Sequence, residues 1–250
     1  MREAFTYMFK DPGYEKKAIV YFVILFLATA LSISPEFANM EMANFSNPKM
    51  YAETSNPIFI FFPLIANFFM ILLGGYHMVC IQAISKQGNN IVLPFFNFKL
   101  AIVTGFKNLI ANLLLIIVTL LLFVPFLIIL KVASAFVGVL FALFLGIIFN
   151  ALTWIFAHDG KLTSYLCWKK AISLVKQNSR SYFVNLLVLG LLSLAGTIVI
   201  GILSLLFNFL LGNIYLSWIA TAAEIAIIAS YIAFVCMYLI AKSIKYESIV

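Results

Sequence analysis

One uninterrupted apolar tract constrains the fold of this chain more than any other feature. It runs from Leu109 to Ala157, 49 residues in which Lys131 is the only charged side chain. A single helix of that length would measure about 73 Å, more than twice the ~30 Å hydrocarbon core of a bilayer. The tract must therefore fold back on itself, and we expect the turn near Lys131, whose ammonium group can reach the membrane surface.

Composition indicates that the rest of the chain shares this environment. Of the 250 residues, 64% are hydrophobic and 10% are charged, whereas typical globular domains have about 45–50% and about 25%. A soluble domain of this composition would lack the polar exterior that it needs. We therefore predict an all-α polytopic membrane protein that forms a single membrane domain over residues 1–250.

Six stretches approach or exceed the roughly 20 apolar residues that a transmembrane helix needs. The predicted spans cover residues 18–34, 58–84, 109–130, 132–157, 183–211 and 215–241. For the first span a cleaved signal peptide is an alternative, because Ala28-Thr29-Ala30 resembles a cleavage site. The long leading segment with its three acidic residues argues against cleavage.

Lysine and arginine are distributed unevenly between the segments that connect these spans. Of the 16 cations, 14 lie in the N-terminal segment, in the loops after the second and fourth spans, and in the C-terminal tail. Lys49 and Lys131 are the other two. Because cytoplasmic loops are enriched in lysine and arginine, we predict a multi-pass protein of the cell (inner) membrane with both termini in the cytoplasm.

The formal net charge of +7 predicts a partner with negative charge. The cations lie between apolar stretches, so the expected partners are the lipid bilayer and its anionic head groups, together with a membrane protein. The sequence has no basic run or aromatic motif of a nucleic-acid-binding protein, so no nucleic acid is expected. The candidate head-group contacts are Lys169, Lys170, Lys176 and Arg180.

Each basic cytoplasmic segment precedes a pair of spans and has the periodicity of an amphipathic helix lying in the head-group layer. The predicted apolar faces are Met1, Ala4, Phe5, Met8 and Phe9; then Phe98, Ile102, Gly105 and Leu109; then Leu162, Tyr165, Trp168, Ile172 and Val175. A surface helix followed by a helical hairpin would then occur three times. The alternative is that any loop beside a bilayer acquires aromatic residues and lysines.

Glu224 is the only acidic residue inside a predicted span. It follows Tyr215 by nine residues, or about 14 Å of helix, which places it near the middle of the membrane. A charge there costs at least about 2.5–3.5 kcal/mol, so the carboxyl group is expected to be protonated, paired or next to water. It is either a site for a proton, a cation or a polar substrate, or a neutral carboxyl group bonded to a neighbouring helix.

Other polar residues within the spans complete the candidate intramembrane polar site. They are His77, Asn67 and Asn150. Amides in membrane helices usually bridge neighbouring helices, and that is the expected role of most of them.

Motifs of known catalytic and metal sites are absent from the sequence. It contains no G-x-S-x-G, H-E-x-x-H, Walker or Rossmann pattern. Cys80, Cys167 and Cys236 form no C-x-x-C pair. His158 and Asp159 are adjacent, but the sequence offers no third partner for them. We therefore expect a protein that is not an enzyme, with no catalytic residues, cofactor or metal.

Short motifs in the first 110 residues carry a family resemblance. They are Phe9-Lys10-Asp11-Pro12-Gly13-Tyr14-Glu15-Lys16-Lys17, Gly75-Tyr76, Gly88, Leu93-Pro94 and Gly105-Phe106-Lys107. They resemble the F-x-D-P-x-W-x-K-K opening, the G-Y pair and the G…LP…GxK loop of an uncharacterised prokaryotic six-helix membrane family of unknown function. The segment from Lys170-Ala171 to Tyr182 is similar to the second cytoplasmic segment of that family, more loosely. Tyr14 stands where that family has tryptophan, and Phe95-Phe96-Asn97 stand where it has acidic residues.

That family is distantly similar to the membrane domain that precedes some glycerophosphodiester phosphodiesterases, and this similarity implies a lipid-facing role without catalysis. The first hypothesis is accordingly a non-enzymatic membrane interaction or envelope-organising module. The second is a small transporter or channel with Glu224 near its pathway.

Overall fold

Helices account for all the secondary structure in the part of the chain that the computed structural model describes, residues 2–33, 61–87, 92–130, 134–211 and 214–244. The eight α-helices are α1 Arg2–Thr6, α2 Tyr14–Ser32, α3 Phe61–Lys86, α4 Phe98–Leu130, α5 Ser134–Asp159, α6 Trp168–Gln177, α7 Ser179–Leu211 and α8 Ile214–Ser243. Two 3₁₀ segments cover Tyr7–Lys10 and Leu162–Leu166. The all-α prediction is confirmed for these residues. Lys131 and its predicted turn lie outside them.

Four described helices are long and apolar enough to cross a membrane. They cover Phe61–Lys86, Phe98–Val118, Ser179–Leu211 and Leu216–Ser243. They overlap the second, third, fifth and sixth predicted spans, the third only over residues 109–118. Helices α2 and α5 overlap the first and fourth predicted spans, but neither is among the four. Four such helices, by length and composition, indicate a multi-pass membrane protein.

The exposed surface of α7 supports this assignment. Leu205 and Phe209 are 72% and 86% exposed, and most other side chains of this helix are exposed as well. A soluble protein rarely exposes a contiguous apolar surface of this extent. A helix satisfies its own backbone hydrogen bonds, so lipid tails can surround such a surface without leaving polar groups unpaired.

The described contacts divide the chain into two compact units. The first comprises Met1–Pro12, Gly74–Leu189 and Cys236–Val250. Residues 151–157 of α5 are all buried, and α4, α6 and the 3₁₀ segment Leu162–Leu166 pack against this helix. Trp154, fully buried in α5, donates a hydrogen bond from Nε1 to the carbonyl oxygen of Ala241 at 3.3 Å.

The second unit comprises Gly13–Leu73 and Gly190–Val235. In it α2 packs antiparallel to α8. The rings of Tyr21 and Phe234 lie 5.0 Å apart, and Trp218 Nε1 donates to the carbonyl oxygen of Ala30 at 2.9 Å. An aromatic contact and a tryptophan hydrogen bond therefore join these two helices within the unit.

The first predicted surface helix buries a different face from the one expected. Ala4 and Met8 are buried, as predicted, but Tyr7 is 3% exposed and Phe9 is 54% exposed. The prediction assumed 3.6 residues per turn, whereas the chain changes to a 3₁₀ segment after Thr6. With three residues per turn, Tyr7 aligns with Ala4, and Phe9 rotates away from the buried side.

The second predicted surface helix is wrong as a separate element. Helix α4 begins at Phe98 and continues to Leu130, so the segment is the N-terminal part of the same helix that contains the third predicted span. Ala101 and Gly105 form its buried side, while Phe98 is 57% exposed. In the described residues, the proposed repeat unit therefore has a separate surface helix in two of its three copies.

The third surface segment exists, but its apolar face packs against protein and not against lipid. The chain changes from a 3₁₀ segment to helix α6 at Cys167, which rotates the apolar face away from the predicted one. The buried residues are Tyr165, Ala171, Leu174 and Val175. Of the predicted apolar face, Tyr165 and Val175 are among these buried residues, whereas Leu162, Trp168 and Ile172 are half-buried.

Candidate functional site

The four candidate head-group contacts form one basic surface, defined here as Lys169, Lys170 and Lys176 of α6 and Arg180 at the start of α7. All four side chains are exposed. Lys170 Nζ lies 4.0 Å from Asp159 Oδ2, an exposed pair of the kind that contributes little to stability. Across the described ranges, no acidic group forms an ion pair with the other three. The basic surface therefore keeps most of its charge for an external partner.

Packing on the opposite side of α6 directs these cations outward. Ala171, Leu174 and Val175 are buried, and α6 packs on α5. Because one side of an amphipathic helix is held against the core, its polar side must face away. Lys169 and Lys176 are seven residues apart, close to two full turns, so both lie on this outward side.

Tyr165 fixes the segment that leads into α6. Its hydroxyl group donates to Asn108 Oδ1 at 3.0 Å and lies 3.3 Å from Thr153 Oγ1. Burial raises the pKa of Tyr165 to about 12, so the phenol stays neutral and keeps its proton for the bond to Asn108. The start of α6 is thereby attached to both α4 and α5.

A groove opens beside the basic surface at the junction of α6 and α7. Its volume is about 660 Å³. Gln177, Asn178, Ser179, Arg180, Ser181, Val184 and Asn185 line it. The junction is held by Asn178, whose Nδ2 donates to the carbonyl oxygen of Leu174 at 3.0 Å. Arginine beside hydroxyl and amide groups is a combination suited to phosphate oxygens.

Glu224 is buried in α8, as its position in the sequence predicted. Its Oε2 accepts a hydrogen bond from Ser204 Oγ of α7 at 3.4 Å. Its Oε1 is buried and has no hydrogen-bond partner in the described part of the chain. Sequence reasoning identified the acid but not Ser204, because nothing in the pattern of α7 distinguishes this serine from its neighbours.

The other predicted intramembrane polar residues are distributed over both units. Asn67 belongs to the second unit with Glu224, but it is exposed and no described hydrogen bond joins the two. His77 and Asn150 belong to the first unit. Asn150 lines a cavity of about 10 Å³ with Tyr182 and Asn185, which is about the size of one water molecule.

His158 has a partner that the sequence did not reveal. Its Nε2 lies 2.7 Å from Ser85 Oγ, and its Nδ1 lies 2.8 Å from the carbonyl oxygen of Trp154. A carbonyl oxygen only accepts, so Nδ1 of the neutral ring carries the hydrogen and Nε2 is an acceptor. The Ser85 hydroxyl group shares its one hydrogen between Nε2 and the carbonyl oxygen of Gln82, which lies 2.9 Å away. Burial lowers the pKa of His158, and the nearby Lys86 lowers it further. The pair is separated by 73 residues, too far for any local motif to show it.

Motifs behind the family resemblance form one structural cluster in the first unit. Asp11 Oδ2 accepts a hydrogen bond from the backbone N–H of Leu93 at 3.0 Å. The hydroxyl group of Tyr76 donates to the carbonyl oxygen of Pro94 at 3.0 Å. The D-P, G-Y and L-P motifs therefore attach the N-terminal segment and the loop before α4 to each other and to α3. Gly88 lies outside the described residues.

The fold and these sites define an all-α chain with four helices that are long and apolar enough to cross a membrane. The chain belongs to the family described as "Protein of unknown function (DUF4013)", whose model matches residues 58–207. No curated protein matches the chain, and no solved structure does.

Proposed function

We propose that this chain is a six-span membrane protein with both termini in the cytoplasm, and that its basic surface binds anionic lipid head groups. In this proposal it acts as a non-enzymatic membrane interaction or envelope-organising module. The observation that carries the proposal is the exposed set Lys169, Lys176 and Arg180, which forms no ion pair within the described ranges.

The geometry of α6 supports this proposal. A short basic helix packed along one side is held in a fixed orientation, so its cations need no further ordering to meet a charged surface. Each cation near an anionic membrane contributes about 1 kcal/mol. The three cations of the basic surface that form no ion pair within the described ranges should therefore make binding to anionic lipid more favourable than binding to neutral lipid.

The six-span topology rests on the distribution of charge. Of the 16 cations, 14 lie in the N-terminal segment, between Lys86 and Lys107, between Lys161 and Arg180, and in the C-terminal tail. All 14 lie on one side of the membrane if α2 and α5 also span. The family that the sequence motifs resemble is distantly similar to a membrane domain of glycerophosphodiester phosphodiesterases. This similarity agrees with a lipid-facing role for the chain, and that role stays a prediction.

The proposal predicts a measurable lipid preference. Full-length protein is reconstituted in bilayers, and quenching of its tryptophan fluorescence by brominated phosphatidylglycerol is compared with quenching by brominated phosphatidylcholine. Trp168 starts α6, and replacement of Trp154 and Trp218 by phenylalanine leaves it as the one tryptophan, which then reports on lipid beside Lys169. We expect preference for the anionic lipid, reduced about fivefold for each cation removed from Lys169, Lys176 and Arg180. At high salt, the difference in lipid preference between these variants and the unmodified protein should become smaller because exposed charges are screened.

A charge-matched variant provides the control. Replacement of Lys16, Lys99 and Lys107 by alanine removes three exposed cations elsewhere and leaves the same net charge as the test variant. The control should keep a larger part of the preference. Equal loss in both variants, or no preference in the unmodified protein, would contradict binding at the basic surface.

A further inference from the structure

The carboxyl group of Glu224 is enclosed in an apolar helix without the partners that an ionised acid requires. Glu224 is 7% exposed and lies within Leu216–Ser243, one of the helices that are apolar enough to span a membrane. Its single described hydrogen bond is the 3.4 Å contact from Ser204 to Oε2. The described residues place no cation in ion-pair contact with it.

These surroundings favour the protonated form. A buried carboxylate is stable when several donors or a cation compensate for the lost water, and a single long hydrogen bond compensates for little. The protonated form carries one O–H donor and no net charge. With Ser204 bonded to Oε2, Oε1 is the oxygen left to carry the hydrogen, and it faces no described acceptor.

A proton fits this site better than a metal ion does. Hard cations such as Ca²⁺ take about 6–8 oxygen ligands and Mg²⁺ requires near-octahedral geometry, whereas Glu224 and Ser204 together offer three oxygen atoms. No group of three or more histidine, cysteine, aspartate or glutamate residues comes together in the described part of the chain. A proton needs one oxygen only.

Other oxygen-bearing side chains lie on the same side of α8. Ser217 and Tyr231 are seven residues before and after Glu224, so the three residues share one side of the helix at intervals of about 10.5 Å. Ser217 is buried. An ionisable residue within a membrane helix is a candidate functional site, and proton transfer is one of the functions of such residues.

From this arrangement we infer that Glu224 is a proton-binding site within the apolar length of α8, which takes up and releases a proton in the intact protein. Ser204 of α7 holds the Glu224 carboxyl group in position through its hydrogen bond to Oε2. The proton binds to the other carboxyl oxygen, Oε1. The inference is independent of the basic surface, so either can fail while the other holds.

A hydrophobic carbodiimide tests the site in the unmodified protein. Dicyclohexylcarbodiimide reacts with a protonated carboxyl group: the acid oxygen bonds to the central carbon, the proton moves to a nitrogen, and rearrangement leaves a stable N-acylurea. No other reactant is needed and no group leaves. The full-length protein in liposomes is treated at a series of pH values, and the modified residue is identified by mass spectrometry.

We expect modification at Glu224 that falls about tenfold per pH unit above the midpoint of its deprotonation. Glu15, an exposed acid at the start of α2, is the internal control and should stay unmodified because the hydrophobic reagent concentrates in the apolar part of the bilayer. Absence of modification at Glu224 at every pH would overturn the inference. Modification that does not change with pH would also overturn it, because it would show a permanently neutral structural group.

Infrared spectroscopy gives a second, independent measurement. The carbonyl band of a protonated carboxylic acid should disappear on alkalinisation and shift in D₂O, and Glu224→Gln should lack it while Glu15→Gln keeps it. A band that neither titrates nor exchanges would overturn the inference. If Glu224→Gln does not fold, the titration of the unmodified protein still decides the outcome.

Discussion

At the scale of single residues, burial changes how readily the His158 side chain binds a proton. His158 is half-buried just beyond the fourth predicted span, where its ring stacks on Trp154 with centroids 3.8 Å apart. Its two nitrogen atoms are both engaged, by Ser85 and by a backbone carbonyl group. The neutral ring satisfies both contacts, so the folded protein disfavours the addition of a proton.

His158 should therefore make stability depend on pH. Burial lowers its pKa in the folded state, while the unfolded chain keeps the ordinary value of about 6.5. The unfolded state then binds more protons as the pH falls below that value, so the free energy of unfolding decreases until the pH passes below the folded pKa. We expect the melting temperature in detergent to fall over this window, and less steeply in His158→Gln.

Ser85→Ala is the companion variant for this experiment. It removes the hydroxyl group that contacts Nε2 and the carbonyl oxygen of Gln82 but leaves the ring buried, so the dependence on pH should persist with a lower melting temperature throughout. Identical pH profiles for the unmodified protein and His158→Gln would show that other groups cause the dependence.

At the scale of helices, close contact is allowed where the sequence has glycine. Gly75 of α3 faces α4, and a Cβ atom there would overlap the carbonyl oxygen of Ala101 and lie 2.6 Å from the backbone nitrogen of Gly105. Both obstacles are backbone atoms, which cannot rotate away as a side chain can. Both residues of the G-Y motif therefore have a structural role. Gly75 allows close packing of α3 on α4, and Tyr76 donates a hydrogen bond to the carbonyl oxygen of Pro94.

Gly75→Ala should accordingly separate α3 from α4. Overpacking of this kind costs about 1–3 kcal/mol, which should appear as a lower midpoint in denaturation by sodium dodecyl sulfate. Gly146→Ala in α5 is the matched control, since a Cβ atom there meets no atom of the described residues within 4 Å. A midpoint for Gly75→Ala equal to that of the control would contradict close backbone contact at this crossing.

The sequence predicted helices more reliably than the sides they bury. Four predicted spans match helices that are apolar enough to cross a membrane, because length and composition alone determine that property. The buried face of a short surface segment depends on its turn geometry, and the 3₁₀ segments before Asp11 and Cys167 altered it. Similarly, Glu224 was identifiable as an acid in an apolar stretch, whereas Ser204 and Ser85 acquired their roles through contacts between distant segments.

At the scale of the whole molecule, the account depends on the sidedness of charge. The described helices establish an all-α chain with four candidate spans, and the proposed topology adds α2 and α5 as the first and fourth. With six spans, the N-terminal segment, the basic surface and the C-terminal tail share the cytoplasmic side. The segment that contains Lys49, outside the described residues, would then lie on the opposite side.

Accessibility of single cysteines in intact cells tests this topology most directly. Cys80, Cys167 and Cys236 are replaced by alanine, and Lys49→Cys, Lys169→Cys and Lys176→Cys are introduced one at a time. A membrane-impermeant maleimide should label the residue at position 49 in intact cells, and those at positions 169 and 176 only after the membrane is permeabilised. Labelling of positions 169 and 176 in intact cells, or of position 49 only after permeabilisation, would contradict the proposed topology.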